Sequence, residues 1–531
     1  MPSNKSSPRS HSRRNRFLTC LLLLSLPFIF FSLYAKHKRE YPKPRPHWVD
    51  VIAKATNNKN KIKVGLVNMD GNVYDEEVSA IENELLVETV SIEFEHVDEN
   101  LKWEEIFPEW IDENGEWGPA KCPHVPVAGL GSHVDLNVVV ARVPCGVRDV
   151  FGLQVNLVVA NLAVKSEHRN VYVVFVGSCG PMVEIFRCDD LLMHGEQYWL
   201  YKPDLRRLKH KTLMPLGSCQ IAQTGKEVWR EFMAETPKLA YVTVLHSSED
   251  YVCGAIALAQ SILQTKTKTT SQTIDLILLA DKSIGPKSTE GLESAGWKIQ
   301  RIQRIQSPFA KKGAYNEWNY SKLRIWQLTS YDKIIFIDSD LLVLKSIEHL
   351  FSYPQLSAAG NDLTLFNSGL MVVEPSQCMF LHMMDKTSEV RSYNGGDQGF
   401  LNEIFAWWHR LSKKVNHMKT FVGRNESGGR AVPADVYAVH YLGLKPWTCY
   451  RDYDCNWDTS DRRIFASDEA HESWWKVHDA MPKELQPYCG LTQKMNERII
   501  KWRRKARNAS FSDGHWNIQV KDPRRHNFSS D

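Results

Sequence analysis

The 531-residue sequence lacks any appreciable charge excess: 66 Lys and Arg against 62 Asp and Glu leave a formal net charge of +4. So weak a field gives no global attraction to a polyanion, and no nucleic-acid partner is indicated. Glycine (29) and proline (24) are too few for a collagenous or low-complexity chain, and 43% hydrophobic residues exclude a mainly disordered one. The 11 cysteines show no zinc-type spacing. Long apolar runs are lacking, with the single exception of Phe17 to Ala35. What remains is a globular chain long enough for roughly three domains, or for one large catalytic domain with appendages. Aromatic side chains are plentiful, 17 Trp and 18 Tyr among them, and suit both core packing and stacking on sugar rings.

The run from Phe17 to Ala35, about 28 Å as a helix, can cross a bilayer. Lys5, Arg9, Arg13, Arg14 and Arg16 precede it without an acidic residue, which keeps residues 1–16 cytosolic and sends the rest into the lumen. A cleaved signal peptide is the rival, but Leu33 stands where a small residue is wanted. Residues 36–60, with Tyr-Pro-Lys-Pro-Arg-Pro at Tyr41 to Pro46, read as an extended stalk. In an oxidising lumen Cys449 with Cys455 could close a short loop and Cys122 with Cys145 a longer one, buried free thiols being the alternative. Glycosylation sequons fall at Asn319, Asn425, Asn508 and Asn527, with Asn319 expected to be buried.

Beyond the stalk two folded segments are expected, 61–235 and 238–457, divided at Thr236-Pro237, with a helical and basic extension over 458–531. The first carries strand-like runs at Lys63 to Asn68, Leu136 to Val143 and Asn170 to Val176, and a helical pattern from Asp149 to Val164. That rhythm predicts a smaller α/β module, for packing or for positioning a sugar. In the second, Leu239 to Leu245 reads as a buried strand, Tyr251 to Gln264 as a helix and Ile274 to Leu279 as the next strand. An amphipathic helix at Lys322 to Leu328 then precedes the apolar strand Lys333 to Asp338. In the extension, Ser473-Trp474-Trp475 and the basic stretch Lys494 to Arg507 could line an acceptor groove, lie on a membrane or cap the domain.

That last strand stops in Asp338-Ser339-Asp340. Carboxylates one residue apart, just past the carboxyl end of a buried strand, sit where open α/β sheets place their ligands. Hard oxygen donors so spaced can share a divalent metal with a diphosphate. Three further blocks follow in order: Phe366-Asn367-Ser368-Gly369-Leu370, Asn394-Gly395-Gly396-Asp397-Gln398-Gly399, and His440-Tyr441-Leu442-Gly443-Leu444-Lys445-Pro446-Trp447. They offer flexible polar backbone, an acid and an amide, an imidazole for a metal and a lysine for phosphate. Together the blocks resemble glycosyltransferase family 8, the glycogenin-like enzymes, from Leu239 to Trp457. Within it they are similar to the plant glycogenin-like starch initiation proteins, a branch that includes xylan α-glucuronosyltransferases of the Golgi. The extra segment before the catalytic domain, the single anchor and Cys449-Tyr-Arg-Asp-Tyr-Asp-Cys-Asn-Trp457 support that branch.

The resemblance implies a GT-A fold, an α/β domain with a central, mainly parallel sheet, together with retaining chemistry, a UDP-sugar donor and Mn²⁺. Asp338, Asp340 and His440 would be the metal ligands, and Ser339 would touch the nucleotide. Val244, His246 and Tyr251 match uracil and ribose positions, although His246-Ser247-Ser248-Glu249 departs from the Thr-Asn pair of glycogenin. Lys322 matches a lysine near the donor; Asn367, Ser368 and Gly369, then Asn394, Gly395, Gly396, Asp397 and Gln398, match sugar contacts. Asn394 replaces an Asp of glycogenin, which suits an acidic donor because two carboxylates would repel. Tyr441, Leu442, Gly443, Leu444 and Lys445 follow His440 around the diphosphate, with Gly443 and Lys445 as its clamp. If a carboxylate attacks the anomeric carbon, Asp397 is the candidate, beside Gln398 and Lys322; a departing phosphate acting as base is the alternative. Lys311, Lys312, Arg324, Arg424 and Arg430 are the cations available to a glucuronate carboxylate.

The expectation is therefore a single-pass type II Golgi membrane protein whose luminal domain moves glucuronate from UDP-glucuronate to the xylose backbone of xylan. Transfer of glucose or galactose to another glycan, a polyol or a protein tyrosine is the alternative within enzymes. A non-catalytic luminal scaffold is the alternative outside them, and the intact set of Asp338, Asp340 and His440 speaks against it. Pairing with itself or with other transferases in the membrane is expected by analogy.

Overall fold

The computed structural model describes residues 47–55, 61–69, 87–118, 122–127, 135–166, 170–223, 226–266, 274–362, 364–421 and 430–527. They fall in two units. In the first, Met1–Lys61 with Asn72–Leu86, the segment His47–Ala55 is a helix. It lies inside the expected extended stalk, where no proline follows Pro46 to block helical hydrogen bonds. The run 17–35, Tyr41 to Pro46, Arg424 and the Asn425 sequon lie outside the described residues. Among the described residues no helix is long and apolar enough to cross a membrane.

The second unit, Ile62–Gly71 with Val87–Asp531, holds the rest. Its described strands are β1 (Ile62–Val67), β2 (Val87–Ile92), β3 (Val138–Ala141), β4 (Tyr172–Val176), β5 (Leu191–Gly195), β6 (Tyr198–Tyr201), β7 (Leu239–Leu245), β8 (Asp275–Ala280), β9 (Lys298–Arg301), β10 (Lys333–Ile337), β11 (Leu341–Val343), β12 (Ser357–Gly360), β13 (Phe366–Val373), β14 (His409–Leu411), β15 (His417–Met418) and β16 (Ala438–His440). One sheet has the order β2-β1-β3-β4-β6-β5, parallel from β2 to β4 and antiparallel at β6 and β5. Valine-rich β3 and β4 are buried, because the helix Val150–Lys165 packs on them. That helix is apolar on nearly every side, as a helix enclosed by its neighbours must be. Asp149 starts it by accepting from the amides of Phe151 and Gly152.

A second sheet has the order β14-β12-β13-β10-β7-β8-β9. Strands β10, β7, β8 and β9 run parallel, with β13 antiparallel against β10. Every residue of β10 is buried, which is why its sequence is an unbroken apolar run after Lys333. A small third sheet, β11-β16-β15, pairs Leu341 with His440. Where an amphipathic helix was expected from Lys322, the chain forms a 3₁₀ helix over Asn319–Gln327, almost wholly buried apart from Arg324 and its ends. Asn319 itself is half-buried.

The two large sheets are joined by buried polar contacts and covalently. Arg187 binds Glu374 at 2.8 Å and Asp189 at 2.7 Å, and Ser376 donates to Asp189 at 2.7 Å. The amide of Trp407 donates to Glu184 at 3.0 Å. Disulfide Cys188–Cys378 crosses the same junction. Cys449–Cys455 closes the short loop as expected. The pairing of Cys122 with Cys145 does not occur: Cys122 bonds Cys219 and Cys145 bonds Cys179, each across neighbouring loops that the sheet brings together. In the C-terminal extension, helix Asp468–Ala480 buries Trp474 and Trp475 against Trp447, so neither lines an acceptor groove. The basic stretch is the helix Gln493–Asn508, whose Ile499 packs with the loop Cys449–Cys455. Cys253–Cys489 fastens the extension to the helix Val252–Thr265.

Candidate active site

Strand β10 delivers Asp338, whose amide donates to the carbonyl of Gly369 at 2.8 Å. The β11–β16 register then sets His440 beside Asp340. The Nε2 of His440 lies 3.3 Å from Asp340 Oδ1, and ligand atoms of Asp338, Asp340 and His440 all lie within 4.8 Å of one another. On the other side of the ring, His440 Nδ1 meets Asn416 Oδ1 at 3.1 Å. An amide oxygen there accepts a hydrogen bond from Nδ1–H, which orients the ring so that Nε2 faces the carboxylates. Gly369 is required at this point, since a Cβ would come within 2.6 Å of the His440 ring.

Two lysines divide the carboxylates between them. Lys445 Nζ binds Asp340 Oδ2 at 2.6 Å and the carbonyl of Tyr441 at 2.6 Å. Gly443, at φ +77°, makes the turn that returns Lys445 to Asp340. Lys322 Nζ lies 2.5 Å from Asp397 Oδ2, 3.2 Å from Asp338 Oδ1 and 3.2 Å from both oxygens of Ser368. Burial works against both ammonium charges, but Asp338 and Asp397 outweigh it for Lys322, as Asp340 does for Lys445, so both are raised. Burial raises Asp338, with Lys322 opposing and Asp340 adding to it. For Asp340 burial is overcome, chiefly by Lys445 and then His440, and the carboxyl is held well below its usual range.

Asp397 begins the helix Asp397–Ile404 and takes both Lys322 and Ser368 Oγ (2.8 Å) on its Oδ2. Gln398 accepts from the Ser368 amide at 3.2 Å and donates to the Tyr393 hydroxyl at 3.0 Å. Asn367 joins Asn361 (2.9 Å) to Asn416 (2.8 Å), extending the chain of amides that holds His440. Asn416, Asn361 and Tyr393 belong to no motif block, and only the fold reveals them. From β7 come Val244, half-buried, and His246, whose Nδ1 lies 2.9 Å from Ser247 Oγ and whose pKa is lowered by burial. The Tyr251 ring stands edge-on to Trp447 and 5.9 Å from Lys445 Nζ. Ser339, between the two carboxylates, is buried.

Other expected residues are turned elsewhere. Tyr441 is buried, with its hydroxyl donating to Ala470 at 2.7 Å, so only its backbone faces Lys445. Leu444 spends its backbone on Asn456 (2.8 and 2.9 Å), while the Leu442 amide bonds the carbonyl of His440. Asn394 is exposed and folds its side chain onto the Gly396 amide at 2.8 Å, while the Gly395 carbonyl accepts from Ser307 at 2.6 Å. Arg324 is committed to Gln303 and Gln327, and Arg430 to the carbonyls of Arg463 and Ala466. Neither is available to a donor carboxylate. Lys311 and Lys312 are exposed on the loop whose Phe309 lies against Gly395.

Two carboxylates and an imidazole whose Nε2 faces them form a donor set that fits a divalent cation, and the flanking lysines fit a diphosphate. That set, with Asp338 and Asp340 just past the carboxyl end of β10 and His440 at the end of β16 in the small third sheet, sits on an α/β fold that fits a glycosyltransferase. Residues 242–359 match the glycosyl transferase family 8 model, and residues 38–219 match the GUX1-5 N-terminal domain. The chain is 50% identical to the putative UDP-glucuronate:xylan alpha-glucuronosyltransferase 4 of Arabidopsis thaliana, over 98% of this chain and 99% of that one. It is also 50% identical to UDP-glucuronate:xylan alpha-glucuronosyltransferase 2 of the same plant, over 88% and 82%. A solved structure of the galactosyltransferase LgtC with sugar analogues aligns with 47% of this chain and 99% of its own, at 16% identity and a TM-score of 0.33. The chain belongs to glycosyl transferase family 8, in the branch formed by these plant relatives.

Proposed function

We propose that this protein transfers glucuronate from UDP-glucuronate to the xylose backbone of xylan, with retention of configuration, in the Golgi lumen. The observation that carries the reading is the intact cluster of Asp338, Asp340, His440 and Lys445 in a chain so close to relatives named for that reaction. An α product from the α-linked donor requires retention. Five disulfides among the described residues support an oxidising compartment.

Asp338, Asp340 and His440 would hold Mn²⁺, which supplies Lewis-acid stabilisation of the leaving diphosphate when bound. The chain's own groups do the rest. Lys445 places its ammonium where charge develops as the glycosidic bond breaks. Lys322 and Ser368 clamp Asp397 through one oxygen, which fixes the position of its side chain. A carboxylate so paired is a poor nucleophile, which favours orientation of the sugar by Asp397 and front-face attack by the acceptor hydroxyl. Its proton then passes to the departing phosphate. Among the described candidates, Lys311 and Lys312, on the loop held against Gly395, are the cations left to meet the glucuronate carboxylate.

The test is transfer by the purified protein with Mn²⁺, a panel of UDP sugars and xylo-oligosaccharides, read by mass spectrometry. One added glucuronosyl unit from UDP-glucuronate alone, abolished by chelator and by Asp338→Ala/Asp340→Ala, is expected. Transfer of glucose or galactose instead, or no transfer by a folded protein that binds UDP, overturns the assigned donor or acceptor.

A further inference from the structure

The acceptor proposed above is a polymer, which extends well beyond the one residue modified. Outside that site, Trp117 and Trp110 are the exposed tryptophans among the described residues, at 81% and 55%. Their ring centroids are 5.4 Å apart, on one loop of the N-terminal segment. The loop is held in shape rather than left loose. Asp112 accepts from the Trp117 amide at 2.6 Å, and the left-handed Gly115 (φ +69°) and Gly118 (φ +105°) supply its turns. Ile111, next to Trp110 in the chain, is buried, and Trp103 and Phe107 stack at 4.5 Å in the preceding turn. Glu113 then ties the loop to the catalytic domain, accepting from Ser412 Oγ at 2.7 Å and from the Lys413 amide at 3.0 Å. Only four residues on from Ser412 stands Asn416, which holds His440 and Asn367, a contour of at most about 14 Å.

Resting on the reading of a polysaccharide acceptor, we propose that Trp110 and Trp117 form a remote platform that stacks on pyranose rings of an unsubstituted, uncharged glycan backbone. Two indoles offer about 150–250 Å² each. That falls well short of the roughly 800 Å² per partner of a stable protein interface, but matches the faces of one or two sugar rings. Charge separates a glycan from a membrane. Between Trp103 and Gly118 the chain carries Glu104, Glu105, Glu109, Asp112, Glu113 and Glu116 and no basic residue, and with only Lys102, Arg410, Lys413 and Lys414 adjoining them these six acids disfavour an anionic bilayer. The same acids repel a backbone already carrying glucuronate. The platform therefore favours unmodified stretches, feeding the active site substrate rather than product.

The experiment compares the full chain with Trp110→Ala/Trp117→Ala on unsubstituted xylan and on a short xylo-oligosaccharide that cannot reach both sites. Expected are a KM for the polymer raised about tenfold (about 1.4 kcal/mol), unchanged kcat and KM for the oligosaccharide, and an unchanged thermal midpoint. Trp110→Phe/Trp117→Phe keeps the rings and stays near wild type; Trp110→Leu/Trp117→Leu keeps the apolar bulk and behaves as the alanine variant. Affinity electrophoresis in gels containing xylan, or xylan already bearing glucuronate, reads the platform without turnover. Retardation is expected for the wild type only, and more strongly in the unsubstituted gel. Folded alanine variants with unaltered polymer KM and gel mobility, or leucine variants equal to wild type, overturn the platform. Failure of oligosaccharide transfer by the wild type defeats the functional reading instead, while the gel still decides the platform.

Discussion

Removing the Asn416 side chain should weaken metal binding without touching a metal ligand. The amide accepts from His440 Nδ1 at 3.1 Å and donates to Asn367 Oδ1 at 2.8 Å, in a position only 2% exposed. Asn416→Ala leaves a buried imidazole N–H without its acceptor and frees the ring to rotate away from Asp340, 3.3 Å distant. Loss of such a supporting partner lowers metal affinity by about 10- to 100-fold. The unsatisfied polar group costs about 1–3 kcal/mol of stability. Asn416→Asp keeps an acceptor for His440 but loses the donor to Asn367, so it should recover most of the metal affinity and little of the stability. Chelator-stripped protein titrated with Mn²⁺, with free ion followed by electron paramagnetic resonance, measures affinity independently of turnover. A folded Asn416→Ala protein with unchanged Mn²⁺ affinity would refute the argument that this amide fixes the imidazole.

Lys322→Met leaves Asp338 and Asp397 facing each other without their shared cation. It should lower kcat by at least about 100-fold and reduce the thermal midpoint of metal-free protein, with Mn²⁺ restoring part of the midpoint; no recovery by the cation would count against shared neutralisation. Glu374, at the junction of the two large sheets, has its pKa lowered to about 2: burial opposes the charge, and Lys333, Arg187, Arg207 and Lys211 more than offset it. A depressed carboxylate stabilises above its unfolded value of about 4.3 and loses that contribution as pH falls toward 2, a difference of order 3 kcal/mol. Denaturation from pH 7 down to pH 3 should show wild type losing its advantage over Glu374→Gln; a constant gap would show that the charge is not what stabilises the junction.

Much of this was legible in one dimension, and what was not has identifiable causes. Leu239–Leu245 coincides with its expected strand because an apolar run bounded by polar residues has one way to be buried. The Asp338-Ser339-Asp340 block was visible because it terminates such a strand. Its distance to His440 was not, since that depends on the register of Leu341 against His440, over about a hundred residues of chain. Asn416 has no motif, and its role appears only when β15 and β16 bring it under the imidazole. Arg324 and Arg430 failed as donor contacts because a long side chain's reach is decided by neighbours such as Gln327 and Trp457, not by its place in the sequence. The pairing of Cys122 with Cys145 failed for the same reason: Cys122 and its true partner Cys219 are 97 residues apart, and only the packed sheet makes them adjacent.

The charge balance of the site argues for a cation as part of the reacting assembly rather than an accessory. With all three ionised, Asp338, Asp340 and Asp397 would outnumber the two ammonium groups, Lys322 and Lys445, by one charge where the proposed diphosphate would sit. In that state the pocket repels its own substrate, and burial magnifies the repulsion. Asp338, Asp340 and His440 would hold a divalent ion that would reverse the sign, and the Lys445 ammonium could then turn from Asp340 to a phosphate oxygen. Lys322 has no such freedom, being held by Asp397 and Ser368 as well as Asp338. On the proposed function the two lysines would therefore divide the work, Lys322 keeping the sugar side of the site rigid and Lys445 following the leaving group.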